Sequence, residues 1–177
     1  MGLVFLTAVP QNRPMNVTEL AREAANLFTT ADYDDFDQDG VEVAPGWTSV
    51  YNSATGQSKR VLLNHDANLI FKWNYGEKYD ETPRTASQRT ICEITIEEGT
   101  FTVRLPYFEH FEIDGAWIEV QEFVNGRTCK HAGEGYSCEC VNTMRRESGC
   151  FDTHNGNWLI LDNEIVLFDF DGIKLPD

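Results

Sequence analysis

The sequence contains few basic residues. It has 14 Lys plus Arg against 29 Asp plus Glu, which gives a formal net charge of -15 at pH 7. Because an acidic surface repels the phosphates of DNA and RNA, direct nucleic-acid binding is not expected. The same charge would suit a basic protein partner, since surface charge mainly steers and accelerates the encounter of complementary surfaces.

The sequence also lacks a long apolar segment and a recognisable secretory leader. The apolar run at residues 2–9 is much shorter than the roughly 20 residues that cross a bilayer. No basic region followed by an apolar run and a small-residue cleavage site opens the sequence, and the five cysteines are odd in number. We therefore expect reduced thiols, no membrane association and a cytoplasmic location.

Several common catalytic motifs are missing as well. The sequence has no Gly-x-Ser-x-Gly, no His-Glu-x-x-His, no Walker-type glycine loop and no Gly-x-Gly-x-x-Gly. Hydrolase, zinc-protease and dinucleotide-binding functions therefore have little support.

Local patterns predict an α+β chain in three segments, residues 1–43, 44–126 and 127–177. Residues 16–28 have helical apolar spacing, with Asn16 as the N-cap, and an acidic loop follows. In the middle segment we expect strands at 47–51, 60–63 and 68–73, a helix at 82–99, and strands at 101–105 and 117–123. Residues 94–96 within that helix are also strand-like.

The third segment is expected to contain a short helix and a hairpin. The helix covers about residues 137–147 and stops at Gly149, and the hairpin pairs residues 158–161 with 165–168. The whole pattern predicts a five-stranded antiparallel sheet with one helix inserted after its third strand, followed by a small second lobe.

The acidic loop at residues 32–42 contains six acids and no basic residue. Asp35-x-Asp37-x-Asp39-Gly40 imitates the start of a calcium-binding loop, but Gly46 stands where such a loop carries its bidentate glutamate. A solvated acidic loop is the preferred interpretation, and calcium binding is the alternative.

The strongest functional signal lies near the carboxyl end. Asp152-x-x-x-x-Asn157 precedes the predicted hairpin, and Asp169-Phe170-Asp171 follows it. This arrangement resembles the catalytic loop and metal-binding turn of protein kinases and of their aminoglycoside-kinase-like relatives. The sequence of residues 152–157 is similar to a motif of the short kinase-like proteins encoded by tailed bacteriophages.

The resemblance implies a protein-kinase-like fold with a minimal, truncated second lobe. It also implies roles for particular residues in ATP- and Mg²⁺-dependent phosphoryl transfer. Asp152 would orient or deprotonate the acceptor, and Asn157 and Asp169 would bind magnesium. Lys72 would contact the phosphates and pair with Glu93, or with Glu97 one turn later. The remaining cofactor-binding positions it implies are Gly46 and Ser49 beside the phosphates, and the backbone of Glu122 and Val124 at the adenine.

The sequence departs from the family in several places. Cys150 and Phe151 replace the usual His-Arg before the catalytic aspartate, and Asp171 replaces the glycine of the metal turn. The glycine-rich loop keeps Gly46 alone, and no activation segment or peptide-docking region follows Asp169.

Two main functions follow from these observations. The first is a phosphotransferase that uses ATP and magnesium. The second is a catalytically silent kinase-like acidic phage protein that binds, and inhibits or redirects, a basic host protein. A third, structural interpretation is that the carboxylates only cap turns.

The cysteines raise a separate possibility. Cys129-x-His131 and Cys138-x-Cys140 together offer four soft ligands for a structural zinc ion. Because Cys138 also fits the apolar face of a short helix, buried or free thiols are the alternative.

Overall fold

The computed structural model describes residues 16–50, 59–74, 85–86, 89–130, 138–149 and 157–168. These residues form an α+β fold with mostly antiparallel sheets, which confirms the predicted class at this level. None of the helices in these ranges is long and apolar enough to cross a membrane.

The helical elements are α1 (Val17–Thr30), a 3-10 helix (Tyr33–Asp37) and α2 (Glu139–Ser148). The strands are β1 (Glu42–Ala44), β2 (Trp47–Ser49), β3 (Lys59–Asn64), β4 (Leu69–Asn74), β5 (Thr85–Ala86), β6 (Arg89–Ile96), β7 (Gly99–Leu105), β8 (Phe108–Ile113), β9 (Ala116–Glu122), β10 (Trp158–Leu161) and β11 (Glu164–Leu167).

The strands form two sheets. The first has seven strands in the order β1-β2-β3-β4-β9-β8-β5, and the second has four in the order β10-β11-β7-β6. The pair β11 and β7 is parallel, and the other strand pairs are antiparallel. The proposed boundaries after residues 43 and 126 stay predictions.

Helix α1 covers one face of the first sheet, as its amphipathic pattern predicts. The Asn16 side chain accepts a hydrogen bond from the Glu19 N–H, which confirms the predicted N-cap. Ala24 and Phe28 are fully buried, and they belong to one core cluster with Phe71 on β4. This packing orients β4, because the side chain that follows Phe71 must point to the opposite face of the sheet.

The predicted helix at 82–99 is wrong, because residues 89–96 form β6. Ile94 and Ile96 are buried, whereas Glu93 and Thr95, which alternate with them, are exposed. This alternation has the two-residue period of a strand. Strand β6 pairs with β7 across a tight turn, so the predicted strand at 101–105 exists but belongs to the second sheet.

The five-stranded sheet is also wrong, because the first sheet has seven strands. Strand β8, which the sequence analysis missed, occupies the place beside β9 that was expected for residues 101–105. Asp114 and Gly115 join β8 to β9 with φ values of 52° and 79°. Two successive residues with positive φ are typical of the type I′ turn that suits a hairpin.

The second sheet packs against α2 around a separate core. Val141 and Met144 of α2 are fully buried with Ile165 and Trp158 of the terminal hairpin. Helix α2 ends at Gly149, whose φ of 73° is the left-handed conformation of a glycine stop. The predicted helix near residues 137–147 and the hairpin after it are confirmed.

Arg104 on β7 connects the two sheets. Its guanidinium binds both carboxylate oxygens of Glu122 on β9, at 2.9 and 3.0 Å. Its Nε also donates to Glu164 on β11, at 2.8 Å. The hydrogen bond with Glu122 is the largest cause of the raised pKa of Arg104, so the arginine stays charged although it is 8% exposed.

Candidate functional site

Lys72 lies on the face of the first sheet opposite α1. Strand β4 pairs with β9 so that Lys72 stands directly opposite Glu119. The Lys72 Nζ is 2.9 Å from Glu119 Oε1 and 2.8 Å from Gln121 Oε1. The Lys72 side chain is only 17% exposed, and a buried ammonium of this kind needs such partners.

His110 on β8 completes this arrangement. It pairs across the sheet with Glu119, and its Nε2 lies 3.5 Å from Glu119 Oε2. We call Lys72, His110, Glu119 and Gln121 the Lys72 cluster. The Glu119 carboxylate, with the lysine on one oxygen and the histidine near the other, holds the ammonium in position.

Sequence reasoning singled out Lys72 but missed the other three members of the cluster. The signal was present in β9, where Glu119 and Gln121 alternate with buried Ile118 and Val120. Glu119 and Gln121 are themselves 9% and 4% exposed, and polar residues on a covered strand face indicate either a polar network or a site.

The structure does not bring Glu93 to Lys72. Glu93 is an exposed residue of β6 in the second sheet, and Glu97 lies in the turn after that strand. The expected helix-borne partner is therefore corrected: the carboxylate that pairs with Lys72 is Glu119, from the neighbouring strand.

Ser49 has a structural contact in place of the expected phosphate contact. Its hydroxyl donates to the Gln38 carbonyl oxygen at 2.7 Å and accepts from the Val41 N–H at 3.1 Å. Because a hydroxyl has one proton to donate, Ser49 cannot donate to a phosphate while this contact persists. Gly46, with a φ of 79°, forms the turn between β1 and β2.

The hinge-like residues lie at the end of β9, with Glu122 as its last residue and Val124 just after it. The Glu122 N–H donates to the Tyr107 carbonyl oxygen at 3.0 Å, and the Glu122 side chain binds Arg104. Val124 is 7% exposed. The Glu122 N–H is therefore already used, and an adenine edge would have to meet other backbone groups of this segment.

Asn157 lies at the open end of the terminal hairpin. It is 7% exposed, and its carbonyl oxygen accepts a 2.7 Å hydrogen bond from the Phe168 N–H. Phe168 directly precedes Asp169, so the hairpin returns the chain to Asn157 just before that aspartate. Asp152 and Asp169 themselves lie outside the described residues.

Three of the four cysteine and histidine ligands predicted for zinc lie within the described ranges, and they cluster. The Sγ atoms of Cys129, Cys138 and Cys140 are all within 4.8 Å of one another, and all three residues are buried. Burial, and then the neighbouring thiol of Cys138, raise the pKa of Cys140 to about 12. His131 lies outside the described residues.

Glu98 fixes the segment that carries Cys129. One carboxylate oxygen of Glu98 binds the Arg127 guanidinium, and the other accepts the Lys130 N–H at 2.9 Å. Burial alone would raise the pKa of Glu98, but the hydrogen bonds from Lys130 and Arg127 lower it. A charged carboxylate therefore bridges the β6–β7 turn to residues 127–130.

Comparisons with protein-family models, with curated proteins and with solved structures found no match to this chain.

Proposed function

We propose that the protein is a kinase-like phosphotransferase that binds ATP with magnesium at the Lys72 cluster. The observation that carries the proposal is the direct pairing of β4 with β9. A lysine on one strand and a hinge segment at the end of another can contact a single nucleotide only if the two strands are close. Here Lys72 is on β4, and β9 ends at Glu122, two residues before Val124.

The geometry of Lys72 suits a phosphate contact. An ammonium has three N–H donors, and Glu119 and Gln121 accept two of them. Among the described residues one donor is left for a phosphate oxygen. Glu119 would keep Lys72 in place, the role that the resemblance assigned to Glu93.

The metal and acceptor groups would come from the terminal hairpin and the loop before it. Asn157 and Asp169 would bind Mg²⁺ through oxygen atoms, the ligands that this ion prefers. Asp152 would orient the acceptor hydroxyl. The bond between Phe168 and Asn157 supports this assignment, because it brings the chain before Asp169 next to Asn157.

The test is a series of melting temperatures with and without ATP and Mg²⁺. A ligand that binds only the folded state raises its stability, so the wild type should melt higher with both present. Asp169→Asn should remove most of that increase while barely changing the apo melting temperature. Asp152→Asn should keep the increase but lose phosphoryl transfer or slow ATP hydrolysis. Equal increases in wild type and Asp169→Asn would contradict the metal assignment.

A second function, binding of a basic host protein without catalysis, is favoured by the acidic segment at residues 32–42. Phe36 is 8% exposed within the core beneath α1, and Ser49 binds Gln38 and Val41 on either side of Asp39. These contacts hold the segment in place. The acids that it exposes to solvent are Asp32, Asp34, Asp37, Asp39 and Glu42.

Replacing Asp34, Asp35, Asp37 and Asp39 by Asn should slow association with a basic partner and reduce its salt dependence, because rim charges act mainly on the association rate. The variant should melt close to wild type, since these side chains contribute little to the core. Pull-downs from host lysate with both proteins provide the measurement. If both proteins recover the same partners in equal amounts at low and at moderate salt, the acidic segment has no role in binding.

A further inference from the structure

We infer that Cys129, Cys138 and Cys140 bind a zinc ion that joins the segment after β9 to the start of α2. The Cys129 and Cys138 Sγ atoms are 3.9 Å apart, and all three sulfurs lie within 4.8 Å of one another. Two thiolates on one tetrahedral zinc, each at about 2.3 Å, are separated by about 3.8 Å. The Cys129–Cys138 distance is therefore close to the one that zinc would impose, and the Cys140 sulfur lies near enough to join them.

A disulfide does not explain this arrangement. Sulfurs in a disulfide are about 2.05 Å apart, far closer than the 3.9 Å between Cys129 and Cys138. Simple hydrophobic burial does not require three thiols from two separate segments to converge either. Soft sulfur ligands select zinc, copper(I) or iron over magnesium and calcium.

The surroundings favour a structural ion. Cys138 is the N-cap residue of α2 and Cys140 lies in its first turn, so two of the three thiols are held close together by one helix end. Cys129, Cys138 and Cys140 are 3%, 0% and 3% exposed. Buried ligand sets of this kind belong to closed, structural zinc sites, which contribute directly to folding.

A tetrahedral ion needs a fourth ligand. The three thiols supply three of the four positions, and the fourth ligand that the sequence analysis predicted, His131, lies outside the described residues. None of the three cysteines belongs to the Lys72 cluster, and Lys72 lies on the other sheet.

The test starts with the metal content of the full chain, purified without chelators from zinc-supplemented cells. Wild type should contain one zinc per chain. Cys138→Ser and Cys140→Ser should each lose it, whereas Cys92→Ser should keep it. Cys92 is a matched control because it packs against the same core but lies outside the thiol cluster. Metal-free wild type, iron or copper in place of zinc, or a Cys129–Cys138 disulfide in non-reducing mass spectrometry would overturn the inference.

A second measurement does not depend on whether the serine variants fold. Wild type prepared with Co²⁺ should show thiolate-to-metal charge transfer and the strong visible bands of tetrahedral cobalt, and a chelator should abolish both and lower the melting temperature. Absence of these bands would overturn the zinc site.

Discussion

Replacing Lys72 by methionine is expected to weaken binding of ATP with Mg²⁺ by about 10- to 100-fold. A hydrogen bond to a charged group contributes about 1.5–3 kcal/mol, and each 1.4 kcal/mol is about tenfold in affinity. Competition with a fluorescent nucleotide analogue measures the loss. Lys130→Met is the matched control, because it removes the same charge from an exposed lysine outside the Lys72 cluster and should leave the affinity unchanged.

The single Lys72→Met variant also removes the cationic partner of Glu119, whose side chain is 11% exposed. A lower melting temperature is therefore expected as well, since a buried carboxylate without its partner is destabilising. The double variant Lys72→Met/Glu119→Gln separates the two effects, because it leaves no unpaired carboxylate. It should regain stability but not ATP affinity. Wild-type affinity in the double variant would mean that Lys72 serves only the fold.

Replacing Arg104 by methionine should lower stability by about 3 kcal/mol, because it leaves the mostly buried Glu122 carboxylate without its cation. For a chain of this length, that corresponds to a fall in melting temperature of about 6–12 °C. Thermal unfolding followed by circular dichroism measures the effect.

Two variants test the cause of that loss. Glu164→Gln removes the more exposed partner of Arg104, whose side chain is 44% exposed, and should cost under about 1 kcal/mol. Arg104→Met/Glu122→Leu replaces the buried ion pair by apolar groups and should recover most of the stability. If the double variant is no more stable than Arg104→Met, the loss of stability does not come from removing the cation beside Glu122.

The elements that could be predicted from the sequence are those with strong local signals. Helix α1 has an N-cap at Asn16 and a clear apolar face, α2 has a glycine stop at Gly149, and the terminal hairpin has two apolar runs around a turn. Each signal depends on interactions between residues that are close in the chain.

Strand β6 was predicted as part of a helix, and strand β8 was missed. Both failures have physical reasons. The residues before Ile94 fit helical apolar spacing, and the preference of Ile94–Ile96 for a strand is satisfied only when β7 pairs with them. Strand β8 mixes aromatic and acidic residues, since its two faces lie against different surroundings. Strand pairing decides such cases, and a local pattern does not contain it.

In the candidate site, too, single residues could be predicted from local sequence, but contacts between distant residues could not. Lys72 was recognised because a lysine within an apolar strand is unusual. Its partners could not be found, because the Lys72–Glu119 contact depends on the register between β4 and β9, which are distant in the chain. The cysteines were noticed from their short spacings, but their convergence depends on how residues 127–130 pack beside α2.

The central claim, a nucleotide site at the Lys72 cluster, is tested most directly by calorimetric titration of the wild-type protein with ATP. The account predicts saturable binding to a single site that strengthens when Mg²⁺ is added and is about 10- to 100-fold weaker in the Lys72→Met/Glu119→Gln variant under the same conditions. No binding by the folded wild type at millimolar ATP and Mg²⁺, or equal binding by the double variant, would contradict it.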